Sequence, residues 1–263
     1  MGSAVQIEIE DRIAIVRMQR PERRNALSID FMRELTGAAA QLRDRPGVDA
    51  IILAGAPGWF SAGADLKDAA RWHPGAAGFA EQREMAQTGY RTARAWEELP
   101  QITIACIEGY AIGGGLALAL ACDWRVIASD AFASLPEIAL GLPLTWGTLP
   151  RLIALTGPAR TKRLAILCER IPADEALALG IVDDVTAPGA TVARGREIAM
   201  RALSMPQAAL RMTKETVNAL AYALSHLASH AGADQFSLAA TSGEATHARA
   251  HFGERPASPR GDR

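Results

Sequence analysis

Apolar and polar residues alternate along Val5 to Glu10 and again along Ile13 to Met18, with Asp11-Arg12 between them. This period-two pattern predicts an antiparallel hairpin. Ser28 then stands where an N-cap belongs, and Phe31, Leu35 and Leu42 fall on one face of a helix expected to run to about Arg43. Asp49 to Ala54, Ile102 to Ile107 and Trp124 to Ala128 are short apolar runs that predict buried strands. Polar sequence from His73 becomes helix-like from about Phe79 to Glu98, which fits either a mobile segment beside a cleft or a plain surface helix. Beyond Gly147 the pattern is mostly helical: Leu149 to Leu155, Ala159 to Leu167, Ala173 to Leu179, Val192 to Leu203, a helix after Pro206 reaching about Leu224, and Leu227 to His251 with a break near Gly243. That last third carries no site motif.

One stretch stands out inside this pattern. The strand at Ile102 to Ile107 leads through Gly109-Tyr110-Ala111-Ile112-Gly113-Gly114-Gly115 into Leu116 to Ala121, which is apolar on every side and predicts a buried helix. The glycines strip Cβ atoms from the handover, so a ligand oxygen can approach bare N–H groups at the positive end of the helix. A second turn repeats the device: Gly55-Ala56-Pro57-Gly58 ends a strand, and Ala62-Gly63-Ala64-Asp65 precedes an expected helix start with Asp65 near its N-terminus. Taken singly, either turn is also an ordinary strand-to-helix connection. Glu137 lies in the apolar run Leu135 to Pro143, where desolvation would disfavour its charge and poise it for proton transfer. Equally open is a Glu137 that faces solvent or pairs with Arg151 or Arg125. Arg23 and Arg24 fit a phosphate contact or a solvated loop.

Composition narrows the classes. The 263-residue chain is 49% hydrophobic, enough for a sizeable core, and its formal net charge of -1 supplies no bulk field for nucleic acid or an anionic membrane. Neither a signal-peptide pattern nor a membrane-length apolar run is present, so a cytoplasmic setting is expected. Cys106, Cys122 and Cys168 lack C-x-x-C spacing and are read as reduced core residues. His226 and His230 lie one helical turn apart, but no H-E-x-x-H glutamate accompanies them, and no metal site is expected. G-x-x-x-x-G-K-[ST], G-x-S-x-G and G-x-G-x-x-G are all missing, which argues against nucleotide hydrolysis, serine-hydrolase chemistry and dinucleotide binding.

Four motifs in order, Phe60-Ser61-Ala62-Gly63-Ala64-Asp65-Leu66-Lys67, Glu108 to Gly115, Cys122-Asp123 and Leu135-Pro136-Glu137-Ile138-Ala139-Leu140-Gly141, resemble the enoyl-CoA hydratase/isomerase, or crotonase, superfamily over nearly the whole chain. The resemblance implies an α/β fold, a crotonase-like spiral of ββα turns over residues 1–190, followed by a helical C-terminal oligomerisation region at 191–263. A homotrimer or a hexamer of two trimers is implied. It also implies an acyl-CoA substrate, with coenzyme A as part of the substrate and no separate cofactor. By similarity the N–H groups of Ala64 and Gly114 hold the thioester oxygen, and the backbone around Ala62, Asp65 and Leu66 receives the adenine. Arg23 or Arg24 would lie near the CoA phosphates, with Phe252 and Arg255 near the nucleotide end.

Two departures matter. The family's hydratases use two glutamates, and at the first position this chain has Ala117. With Glu137 alone, the pattern is that of the isomerases, in which one carboxylate moves a proton between C2 and C4. Hydration or another enolate reaction is the alternative within the family, and an acyl-CoA-binding protein with little catalysis the alternative outside it. The second departure is Pro143-Leu144-Thr145-Trp146-Gly147-Thr148, where the family commonly shows P-G-A-G-G; Trp146 either reshapes the acyl pocket or simply packs. Leu203, Leu210, Val217, Leu220, Leu224 and Leu227 are more apolar positions than peripheral helices need, so burial between subunits is expected. Light scattering at micromolar concentration should therefore report a trimer or hexamer, and a monomer would contradict the assignment.

Overall fold

The computed structural model describes residues 3–72, 78–223 and 225–251. The chain runs β1 (Val5–Glu10), β2 (Ile13–Met18), α1 (Ile29–Arg43), β3 (Ala50–Ala54), α2 (Ala69–Trp72), α3 (Phe79–Glu97), β4 (Ile102–Ile107), β5 (Tyr110–Ile112), α4 (Gly114–Leu120), β6 (Trp124–Ala128) and β7 (Phe132–Ser134). It continues through α5 (Thr148–Leu167), β8 (Arg170–Pro172), α6 (Ala173–Ala178), β9 (Asp184–Thr186), α7 (Thr191–Leu203), α8 (Gln207–Ala221), α9 (Ser225–Ala240) and α10 (Gly243–Ala250).

A six-stranded sheet has the order β1-β2-β3-β4-β6-β9, with only the β1–β2 pair antiparallel. A second sheet has the order β5-β7-β8. The connection β4-β5-α4 places one strand in each sheet before a helix, and β6-β7 followed by α5 does the same. After β3, the parallel bridge between Ser61 and Ala111 stands in for the second strand. The fold is thus a spiral of ββα turns, as the motifs implied. Both faces of the large sheet are covered, which is why its parallel strands read as nearly unbroken apolar runs. Ala14, Val16, Ile51, Leu53, Ala105 and Ile107 join the core cluster that contains α1 and Trp96 of α3. Ile13, Ile15, Ile52, Ile104 and Cys106 face the other way, against Ala199 and Ala202 of α7.

Local chemistry sets the element ends. The Ser28 hydroxyl accepts from Phe31 N–H at 3.2 Å and caps α1. Gly157, with φ +75°, breaks α5 where the sequence had predicted two helices. Several expectations needed correction. The handover from β4 to α4 is not direct, because Tyr110–Ile112 first forms β5 of the small sheet. No helix starts at Asp65; its Oδ1 accepts from Lys67 N–H at 3.0 Å in a turn, and α2 begins only at Ala69. β5, β7, β8 and β9 have three residues each, too short for a periodic signal. Leu203 and Leu210 pack on the core cluster under α7 instead of facing outward, whereas Val217 and Leu220 are 55% and 77% exposed. The side chains of Leu224 and Leu227 lie outside the described residues.

One buried polar residue joins the first loop to the strand ends. Asn25 is fully buried at φ +53°. Its Nδ2 donates to Met18 O at 3.2 Å and Phe60 O at 3.0 Å, and its Oδ1 accepts from Arg20 N–H at 2.8 Å. Asn25→Ala would orphan all three groups and place alanine in a left-handed conformation that asparagine tolerates better. We expect a loss of ~3 kcal/mol or more, read as a lower urea midpoint. An unchanged midpoint would show that the loop is held by other means.

Candidate active site

The first glycine turn is fixed from below by main-chain and hydroxyl bonds. Leu27 N–H donates to Gly63 O at 2.7 Å and Leu27 O accepts from Asp65 N–H at 3.1 Å. This bridge engages the groups flanking Ala64, so the N–H of Ala64 points to the opposite side, and among the described residues it has no acceptor. The Ser61 hydroxyl donates to Asn25 O at 2.7 Å and accepts from Gly63 N–H at 3.2 Å.

The second turn is fixed by the small sheet. Gly113 N–H donates to Ser134 O at 2.8 Å, and Gly113 adopts φ +50° and ψ −117°, a conformation that suits glycine. Gly114 opens α4, so its N–H is one of the helix's orphan donors. Ile112 N–H donates to Ser61 O at 3.0 Å, tying the two turns together. Their approach is backbone to backbone: a Cβ on Gly63 would sit 2.6 Å from Ile112 O and 3.5 Å from Gly114 N.

Glu137 is brought to this junction by the strand β7 that holds Gly113. A Cβ on Gly113 would meet Glu137 Oε1 at 2.5 Å, so the carboxylate lies directly over that peptide. Behind it, Leu140 and Leu142 N–H both donate to Glu137 O at 2.9 Å, and Gly141 turns at φ +72°. Neither arginine offered by the sequence neutralises Glu137. Arg151 pairs with Glu97 at 2.8 Å and Arg125 with Asp183 at 2.9 Å.

A cavity of about 460 Å³ opens onto both turns and Glu137. Ala62, Ala64, Leu66, Gly114, Glu137 and Trp146, all singled out from the sequence, share its wall, and so does Ala117. Glu137 is the one carboxylate in that wall among the described residues, and the rest is mainly apolar. Fixed backbone donors beside a mainly apolar wall are effective where negative charge develops on an oxygen, since apolar surroundings screen the electrostatic interaction less than water does.

Other expected residues lie elsewhere. Asp65 is 6% exposed and turned into the protein, its Oδ2 3.4 Å from Arg20 Nη2, so its side chain is absent from the cavity wall. Arg23 and Arg24 are exposed, outside the wall, and without an ion pair among the described residues; Arg24 O accepts from Ala62 N–H at 3.0 Å. Phe252 and Arg255 fall outside the described residues. Sequence reasoning also missed wall residues: Trp72, Phe132, Ser134, Arg170 and Phe236. Phe236 belongs to α9, so the C-terminal third, whose pattern carries no site motif, contributes to the wall. It meets Trp72 with ring centroids 5.9 Å apart, a pairing across the chain that no local pattern signals.

Cys168 corrects the reading of the three cysteines. Cys106 and Cys122 are buried, and burial pushes both thiols up, Cys122 to about 12. Cys168 is only partly buried, at φ +55°, and lines the cavity. Among the described residues no group of three or more His, Cys, Asp or Glu comes together as a metal site. No helix among them is long and apolar enough to cross a membrane.

Comparison with known proteins gives a consistent picture. Residues 8–258 match the family model described as enoyl-CoA hydratase/isomerase. A crotonyl-CoA hydratase of Syntrophomonas wolfei is 34% identical over 213 residues, covering 81% of this chain and 80% of its own length. The short-chain-enoyl-CoA hydratase of Clostridium acetobutylicum is 33% identical over the same shares. The crystal structure of an enoyl-CoA hydratase from Mycobacterium avium subsp. paratuberculosis K-10 superposes with a TM-score of 0.85 at 27% identity, over 98% of this chain and 99% of that one.

The cysteine environments predict selective labelling. Iodoacetamide at mildly alkaline pH should alkylate Cys168 in the native protein and reach Cys106 and Cys122 only after unfolding, as read by peptide mass spectrometry. Native labelling of Cys106 or Cys122 at the rate of Cys168 would contradict their burial.

Proposed function

This chain belongs to the enoyl-CoA hydratase/isomerase family, and from that premise we propose that it isomerises the double bond of an enoyl-CoA with Glu137 as its single acid/base. The observation that carries the reading is the wall around the glycine turns: one carboxylate lies over Gly113, and one helical turn into α4 the wall presents Ala117. A 3-enoyl-CoA would place its thioester oxygen between the N–H groups of Ala64 and Gly114. Glu137 would remove a proton from C2, and the electron pair would delocalise into a dienolate whose oxygen the two donors stabilise. The same carboxylic acid would return the proton at C4, giving the conjugated 2-enoyl-CoA with no net change of atoms. Removing one such donor typically costs ~2.7–4 kcal/mol of transition-state stabilisation.

Hydration is the second reading, favoured by the names of the relatives. It needs a water to be held and split, and with Ala117 in the wall that task would fall to Glu137 alone. The backbone of Ala62 and Leu66 at the cavity wall, and the exposed Arg24, whose carbonyl accepts from Ala62 N–H, with Arg23 before it, are in keeping with an adenine and phosphates outside the cavity. Val217 and Leu220 on α8 favour burial against a second copy.

Glu137→Gln keeps shape and hydrogen-bonding capacity but cannot accept the proton. Acyl-CoA should still bind, while isomerisation of a 3-enoyl-CoA falls by ~100-fold or more and deuterium exchange at C2 in heavy water disappears. A folded Glu137→Gln protein that isomerises at the parent rate would sink the assignment. Ala117→Glu is the companion: it restores a second carboxylate to the wall, and hydration of crotonyl-CoA should rise relative to isomerisation.

A further inference from the structure

Trp146 occupies an unusual position for so large a residue. Its backbone is left-handed, with φ +60°, a region a bulky side chain adopts only when its surroundings hold it there. The holding group is visible. Arg151 Nη1 donates to Trp146 O at 2.8 Å, and the same guanidinium pairs with Glu97 at the end of α3. Both partners are buried, at 3% and 8% side-chain exposure, so the carbonyl of Trp146 is anchored to a charge pair shielded from water.

The ring is held as firmly as the backbone. A Cβ on Gly89 of α3 would lie 1.9 Å from Trp146 Cε2, and one on Gly114 of α4 would lie 2.2 Å from Cζ3. Both helices therefore present bare backbone to the indole, and any side chain at either position would displace it. The ring fills the gap between α3 and the start of α4, and it does so as part of the cavity wall, only 5% exposed.

We infer that Trp146 sets the depth of the acyl site and restricts this enzyme to short acyl groups. The inference rests on the acyl-CoA reading above and goes beyond it by naming the class of acyl group. With the thioester oxygen at the N–H of Gly114, the indole against Gly114 stands beside the first carbons of the acyl chain. Passage between α3 and α4 is the route the ring closes. An open apolar channel rewards each added methylene by about fourfold in affinity. A wall gives no such reward, and a longer chain must displace a ring wedged between two backbones.

The test is a chain-length series of saturated acyl-CoA thioesters, butyryl, hexanoyl, octanoyl and decanoyl, titrated calorimetrically into the full-length protein. For the wild type, affinity should stop rising early in the series, so that decanoyl-CoA binds ~100-fold or more weaker than an open channel would give. Trp146→Ala opens an apolar void that a longer chain can fill, and affinity should then climb with chain length. Trp146→Phe should shift the limit by less. A wild type whose affinity climbs steadily through decanoyl-CoA overturns the inference while leaving the acyl-CoA reading intact. So does a folded Trp146→Ala that loses affinity equally for all four thioesters, because a ring that only packs would behave that way. Wild-type protein that binds none of the four overturns the acyl-CoA reading and the inference with it. Should Trp146→Ala fail to fold, the wild-type series alone decides.

Discussion

Everything at the cavity depends on one contact between two stretches of bare backbone. Gly63 comes so close to Ile112 and Gly114 that a single methyl group at Gly63 would keep the turns apart. Two peptide N–H groups can act on one oxygen only if their turns are fixed relative to each other, and these turns come from different windings of the spiral. The Ser61–Ala111 bridge sets that relation by joining the first winding to the small sheet that carries the second. Hydrogen bonds from Gly113 to Ser134 and from Leu27 to Gly63 then remove the remaining freedom. Donors arranged in this way need no reorganisation when charge develops, which is the main advantage of backbone over side-chain donors.

The same junction sets where the Glu137 carboxylate stands. Because β7 both accepts the Gly113 hydrogen bond and leads into Leu135-Pro136-Glu137, the carboxylate and the glycine turn are held by the same strand. The arginines that would have quenched Glu137 are committed elsewhere. Arg151 is buried against Glu97, and Arg125 takes Asp183, Ile181 O and Cys122 O. Leaving a buried guanidinium without its partner is costly, so these pairings are stable assignments and not reserves for the site.

The C-terminal helices serve the site as well as the surface. α9 lends Phe236 to the cavity wall, and Ala245 of α10 lies against the Gly141 turn behind Glu137, where a Cβ on Gly141 would come within 2.6 Å of Ala245 Cα. Meanwhile Met212, Val217 and Leu220 of α8 remain more than half exposed. One helical region thus covers the turn behind Glu137 from one side and offers an apolar surface on the other.

The sequence by itself determined β1, β2, β3, β4 and β6 of the large sheet, the helix after the glycines, the N-cap at Ser28 and the identity of Glu137 as the conspicuous carboxylate. Each of these is written in local physics: alternation, capping chemistry, or one charge among apolar neighbours. It also carried the family, because four short motifs keep their order and spacing. Tertiary structure alone decided that Asp65 turns inward to Arg20, that Cys168 leaves the core for the cavity wall, and that Trp72 meets Phe236. It alone placed Trp146 between Gly89 and Gly114, and it alone revealed the three-residue strands of the small sheet. Those outcomes depend on partners distant in the chain, and a strand of three residues or a single side-chain orientation leaves no periodic trace. A sequence fixes what a residue favours among its neighbours, whereas the direction it finally faces is set by whichever distant backbone leaves room for it.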